Sequence, residues 1–468
     1  MRRGPIELRR LSRLILAAFL AVAVSCQEGP ELTLRIRIPE ARKLFQAVTQ
    51  LNVTASRDRV VLAQRTFSAS TTRVSLSSVS HGPRTVITLD GVDVAGEIIA
   101  RGQTCPVDFF QAGLVVPLYF APTNFFSPTA GPPVIERLHA VSSALADGSV
   151  LVAGGLTSDA AVLASTELFL ASTATFALHN ASLLQARARA QASYLPGIGL
   201  LITGGIGAAG TPLAGAELYH ESRDTFVPVA DPRLDARVGH RMVLLPDGRA
   251  FISGGGASAG GGALATTVFV FVATDGTYQV SPGPPLAEAR REHAATVAIG
   301  VPMVFGGYGL DGYPLSSIEA LDPGVVPAAA AAPIGRLNIP RAEATASALE
   351  DGSILLVGGV GPEGRLQDTA ELFNPVTRAT ALHQLAFARR GHTATVLSDG
   401  RVLIAGGMDE AGAPIDAVEL FTPGIGLVVT ERSLTTKRSG HLAVPLCDGT
   451  VLLFGGGEGG EVYSGAAD

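Results

Sequence analysis

Tryptophan is absent from this chain of 468 residues, aromatic residues reach only 6%, and cysteine occurs three times. Three widely spaced cysteines make no disulfide framework, so stability must come from a packed core. Cys105 and Cys447 leave one bridge and two free thiols both open. Charge is also scarce, at 16% of residues against 47% hydrophobic, which excludes general disorder. The apolar run Leu14–Val24 is too short to cross a bilayer comfortably as a helix. Glycine alone is in surplus, 55 residues without the three-residue spacing of collagen, which points to many turns.

The first 25 residues read as an export leader. Arg2, Arg3, Arg9, Arg10 and Arg13 precede the apolar run, and Ser25 and Cys26 follow it. The ending "AVSC" resembles the lipobox of bacterial lipoproteins, which implies that Cys26 is lipidated and becomes the N-terminus. An ordinary signal peptide with an incidental cysteine is the alternative. Removing residues 1–25 takes away five arginines and Glu7, so the formal charge falls from −6 to −6 − 4 = −10. A chain so acidic lacks the electrostatic footprint of a nucleic-acid binder.

Beyond the leader the chain repeats itself. Gly-Gly pairs fall at Gly154-Gly155, Gly204-Gly205, Gly254-Gly255, Gly306-Gly307, Gly358-Gly359, Gly406-Gly407 and Gly455-Gly456, at steps of 50, 50, 52, 52, 48 and 49 residues. Each pair ends an apolar run, often introduced by an Asp-Gly turn such as Asp399-Gly400, and a hairpin is the expected result. A further strand follows, as in "DTAELF" or "DAVELF". About fifty residues hold four short strands, and stacking such sheets radially gives a β-propeller. The last unit ends too soon for its fourth strand, so the segment at Phe125 and Phe126 is expected to supply it and close the ring.

The Gly-Gly pairs and the Glu-apolar-aromatic strands resemble kelch repeats over about residues 124–463. The resemblance implies a seven-bladed propeller that binds partners on one face. Kelch units usually carry a tryptophan after the third strand; Phe176, Phe226 and Tyr278 stand there in three units. The missing tryptophan also removes the Ser-x-Asp-x-Gly-x-Thr-Trp turns of sialidase propellers. Residues 26–122 hold six or seven alternating apolar segments, the size of an immunoglobulin-like β-sandwich.

Each unit also carries an arginine three residues before a recurrent histidine position: Arg137, Arg187, Arg237, Arg290, Arg341, Arg389 and Arg438. Histidine fills that position at His240, His293, His392 and His441. A ring of guanidinium groups would bind carboxylates or sulfates. Glu167, Glu217, Glu319, Glu371, Glu419 and Glu461 recur with the arginines, however, and a repeated internal ion pair explains both. Val268 replaces the glutamate in the third unit, which makes Arg237 the arginine of the seven best placed to face a ligand, with bonding to backbone carbonyls as the alternative. The candidate ligand-binding residues are therefore Arg237, His240, Arg290, His293, Arg389, His392, Arg438 and His441. The histidines are expected to hydrogen-bond within their own sheets and lack metal-ligand spacing. Asp409, Glu410 and Asp416 share one loop, a solvated loop or a weak calcium site.

The sequence thus predicts an all-β protein: leader 1–25, β-sandwich stalk 26–122 and seven-bladed kelch-type propeller 123–468. The expectation is a monomeric, non-catalytic binding scaffold without cofactor or metal, lipid-anchored in a bacterial envelope and facing the periplasm or exterior. Its partner is a protein or glycan. The alternative is a carbohydrate oxidase, because galactose oxidase has a kelch-like ring with copper held by two histidines and two tyrosines.

Overall fold

The computed structural model describes residues 20–24, 32–39, 46–70, 82–110, 114–258, 261–324 and 332–465. Cys26, most of the leader and the segment "RVSLSSV" lie outside them. Strand dominates, and the chain divides into two compact units, one reaching Thr123 and one spanning Asn124–Gly465.

The first unit contains two sheets. Leu20–Val24, Leu32–Arg37 and Leu114–Tyr119 form the smaller, in which the second and third strands run parallel. Leu20–Val24 falls inside the expected leader and pairs antiparallel with Leu32–Arg37. The larger sheet runs Val60–Ser68, Gln50–Arg57, Gly82–Val92, Ile98–Gln103 and Ala121–Pro122, with Val107–Phe109 also on Gly82–Val92. Alternation in Gln50–Arg57 sends Leu51, Val53 and Ala55 to one side. There they join Leu34, Ile36, Val116 and Leu118 of the smaller sheet in a single core.

The second unit is made of four-stranded antiparallel sheets, seven among the described residues. In sheet 1 the order is Val141–Ala144, Val150–Ala153, Thr166–Leu170 and Thr175–His179. Sheets 2 to 7 begin with Gln191–Leu195, Arg241–Leu244, Ala294–Ala298, Thr345–Ala348, Thr393–Val396 and Leu442–Pro445. Each of these first strands touches the first strand of the next sheet, and that of sheet 7 touches that of sheet 1, so the succession closes. Second strands such as Ile354–Val357 and Val402–Ala405 are buried along their whole length because sheets cover both faces. Their Val, Ile and Leu content follows from that position.

Glycine pairs join each sheet to the next. Gly154 and Gly155 have φ of +67° and +98°, and a Cβ on Gly154 would stand 2.3 Å from the Arg187 carbonyl oxygen. The Gly155 N–H donates to that same oxygen at 2.9 Å. Only a residue without a side chain brings the two backbones this close.

Sheet 7 takes its fourth strand from the start of the unit. Phe125–Pro128 pairs with Gly460–Ser464, placing Phe126 opposite Tyr463. Their ring centroids are 4.8 Å apart, and the Tyr463 hydroxyl donates to Asn124 Oδ1 at 2.9 Å. Phe126→Ala should cost about 3–5 kcal/mol and expose the edge of Gly460–Ser464 to association. Chemical denaturation with sedimentation analysis measures both. A monomeric variant of unchanged stability would contradict this closure.

Candidate functional site at the axial mouth

All seven repeated arginines are buried. In sheet 5, Arg341 donates from Nη1 to the Gly358 and Thr369 carbonyls at 3.1 and 2.9 Å, and from Nη2 to Glu371 Oε1 at 2.9 Å. The Glu371 carboxylate also accepts the Asn338 and Ile339 N–H groups at 2.7 and 3.1 Å. The pair therefore staples the crossover segment to the end of the second strand. Arg137, Arg187 and Arg389 repeat the arrangement with Glu167, Glu217 and Glu419 at 2.6 Å. Arg438 meets Glu461 at 2.9 Å, and Arg290 pairs with Glu319.

Of the two readings opened by Val268, Arg237 shows bonding to backbone carbonyls and does not face a ligand. It is 2% exposed, and its guanidinium donates to the Gly254 carbonyl, Thr266 Oγ1 and the Asp235 carbonyl at 3.2, 3.3 and 3.3 Å. Backbone and hydroxyl oxygens replace the missing carboxylate, with the exposed Asp235 carboxylate 3.7 Å away. Arg290, Arg389 and Arg438 are likewise sealed at 0% exposure. The candidate arginines belong to the fold.

The four histidines are buried too, but they bond across sheets rather than within them. His240 Nε2 meets Thr203 Oγ1 at 2.8 Å, and His293 Nε2 meets Ser253 Oγ at 2.8 Å. His392 and His441 reach Thr345 and Thr393 at 3.0 and 2.9 Å. Each partner belongs to the preceding sheet, and every Nδ1 lacks a hydrogen-bond partner. Burial, reinforced by neighbouring arginines, drives all four imidazoles well below their usual range, to about 3 for His392 and His441. They are neutral struts between sheets.

The position between each arginine and histidine slot carries a different signal. Two residues beyond the arginines stand His139, Arg189, Gly239, Glu292, Glu343, Gly391 and Gly440. All seven have left-handed backbone: φ is +54°, +55°, +66°, +48°, +55°, +62° and +60°. Glycine adopts this conformation freely, whereas a side chain there costs about 1–3 kcal/mol. Charged or imidazole side chains nonetheless occupy four slots. Backbone bonds tie neighbouring slots, from Arg189 N–H to the His139 carbonyl at 3.0 Å and from Glu343 N–H to the Glu292 carbonyl at 2.8 Å.

These residues line a cavity of about 410 Å³ where the first strands begin, together with Gln191, Arg241 and Arg390. Side chains from neighbouring slots cover two of the three glycines. A Cβ on Gly239 would meet Glu292 Oε1 at 2.7 Å, and one on Gly440 would meet His139 Cε1 at 3.0 Å. Glu343 accepts from the Tyr308 hydroxyl at 3.1 Å and lies 3.4 Å from Arg390, while Arg291 covers the Tyr308 ring at 4.8 Å. Glu343 and Arg390 largely satisfy each other. Arg189 and Glu292 have no ion-pair or side-chain hydrogen-bond partner among the described residues. His139 titrates below its usual range, through burial first and then the nearby Arg189.

Sequence reasoning passed over this quartet because it followed the residues that recur. The usable signal was the reverse, a charged residue in a slot that other units fill with glycine. The calcium-candidate loop is exposed over residues 410–414, and its carboxylates bond backbone: Asp409 Oδ1 accepts the Ala411 and Ala413 N–H groups, and Glu410 accepts that of Leu366. Among the described residues, no three His, Cys, Asp or Glu side chains converge as a metal site.

Neither a protein-family model nor a curated protein matches the chain. Among solved structures, one titled "Structure of YjhT" is similar, with a TM-score of 0.45 and 14% identity over 65% of this chain and 95% of that one.

Proposed function

We propose that this protein is an exported, non-catalytic binding protein whose ligand enters the axial mouth of a seven-bladed kelch-type β-propeller. The stalk is a β-sandwich, and Cys26 carries the lipid that holds the protein in a bacterial envelope. One observation carries the reading: four of seven equivalent left-handed slots hold His139, Arg189, Glu292 and Glu343 rather than glycine, around one cavity. Fold alone would favour glycine in every slot. Strain retained at a concave polar surface supports a site.

Arg189→Gly tests this directly, because glycine relaxes the left-handed backbone and Arg189 is exposed with no side-chain partner to lose. The variant should be as stable as the parent or up to about 1 kcal/mol more stable. A screen of small polar ligands and oligosaccharides on both proteins should give binding that the variant loses. A ligand bound equally by both would place the site elsewhere. Stoichiometric copper with peroxide release from sugars would instead establish the oxidase.

The anchor is tested separately. Cys26→Ser should move the protein from the membrane to the soluble envelope fraction. Retention in the membrane after detergent-free fractionation would count against lipidation.

A further inference from the structure

Arg189 and Glu292 present opposite charges to one cavity without pairing to each other. Their slots belong to sheets 2 and 4, and between them lies Gly239, one of the three slots with no side chain. Glu292 leans over Gly239, as the 2.7 Å approach of its Oε1 to a Cβ built there shows. Its backbone N–H is fixed to the Gly239 carbonyl at 2.7 Å, so the carboxylate is held from a rigid base. Arg241 of sheet 3 adds a second guanidinium to the lining. The neutral imidazole of His139 is close enough to both Arg189 and Glu292 to feel their charges. Two guanidinium groups and a free carboxylate thus line the same cavity.

Resting on the axial mouth as the binding site, we infer that it takes a small zwitterion of the α-amino acid or short-peptide class. The ligand carboxylate lies against Arg189 and Arg241, and its ammonium lies against Glu292. A plain anion would leave Glu292 facing it with like charge, and a plain cation would do the same to the guanidinium groups. Each mismatch sets an unpaired charge in a partly enclosed polar site, which disfavours binding. A cavity of about 410 Å³ sits at the small end of ligand sites and has room for an amino acid or dipeptide. The left-handed backbone at Arg189 and Glu292, tied by bonds to the His139 and Gly239 carbonyls, fixes where these two side chains leave the chain.

Calorimetric titration of the full chain with the proteinogenic L-amino acids and glycylglycine tests the inference, followed by the deaminated and decarboxylated analogues of the tightest binder. Glucuronate serves as an anion without an ammonium group. The expected result is a zwitterion whose two analogues each bind roughly 10- to 100-fold more weakly. In Glu292→Gln the preference over the deaminated analogue should collapse, while in Arg189→Gln the preference over the decarboxylated one should collapse. A purely structural role for these residues would move neither preference. Absence of binding by every zwitterion, or equal binding of the deaminated analogue, overturns the inference. Glucuronate binding lost in Arg189→Gln would then keep the mouth as a site for anions, whereas no binding by either class overturns the inference and leaves the mouth itself to the oligosaccharide screen.

Discussion

Arg341→Ala is expected to lower the unfolding free energy by about 3–5 kcal/mol, and Arg237→Ala by about 1–2 kcal/mol, although both arginines are buried. Both truncations leave a glycine carbonyl without its guanidinium donor, at Gly358 and Gly254. They differ in what else is stranded. Removing Arg341 leaves the carboxylate of Glu371, itself 0% exposed, with only its bonds to the Asn338 segment. A buried charge without its counterion is the costly species. Removing Arg237 strands no buried carboxylate, since Val268 stands there and Asp235 is open to water. Urea denaturation of the two variants decides the matter. A larger loss for Arg237→Ala would show that the carboxylate is not the main cost.

Acid should weaken the second unit through its buried histidines. His240, His293, His392 and His441 are held neutral in the folded state, with pKa values below the unfolded value of about 6.5. Between those values the unfolded chain binds more protons, so stability falls as pH falls. The stabilisation is fully present above about pH 6.5 and is lost progressively towards about pH 3 for His392 and His441. Each such histidine contributes a slope of about 1.4 kcal/mol per pH unit, or about 2 kcal/mol by pH 5. Aspartates such as Asp247 and Asp351 are also lowered, but from about 3.8, so they act at more acid pH. Denaturation curves at pH 7.5, 6 and 5 should show the decline, and His441→Gln should flatten it by one histidine's share. Parallel pH profiles for parent and variant would contradict the assignment.

The recurring parts of this molecule were legible because physics repeats them. Gly-Gly marks where backbones of adjacent sheets meet, and Arg341 with Glu371 marks a buried pair that every sheet but one reproduces. Phe126 was readable as the outer strand of sheet 7, and it pairs there opposite Tyr463. What repetition hides is geometry and exception. The missing glutamate at Val268 left Arg237 open to a ligand or to backbone carbonyls, and residue type alone does not show that carbonyl and hydroxyl oxygens take the guanidinium inside. The histidines were recognisable as structural, yet their bonds across to Thr203 or Ser253 depend on the packing of one sheet on the next. Positive φ at His139, Arg189, Glu292 and Glu343 leaves no trace in residue type except through the glycines that replace them elsewhere.

The central claim is that strain at the axial slots is retained for binding, and the Arg189→Gly variant measured for stability and ligand affinity together tests it most directly. The account predicts an unchanged or higher melting temperature with a loss of affinity of at least about tenfold. A variant that melts lower while binding as tightly as the parent would show that Arg189 serves the fold, and the claim would fail.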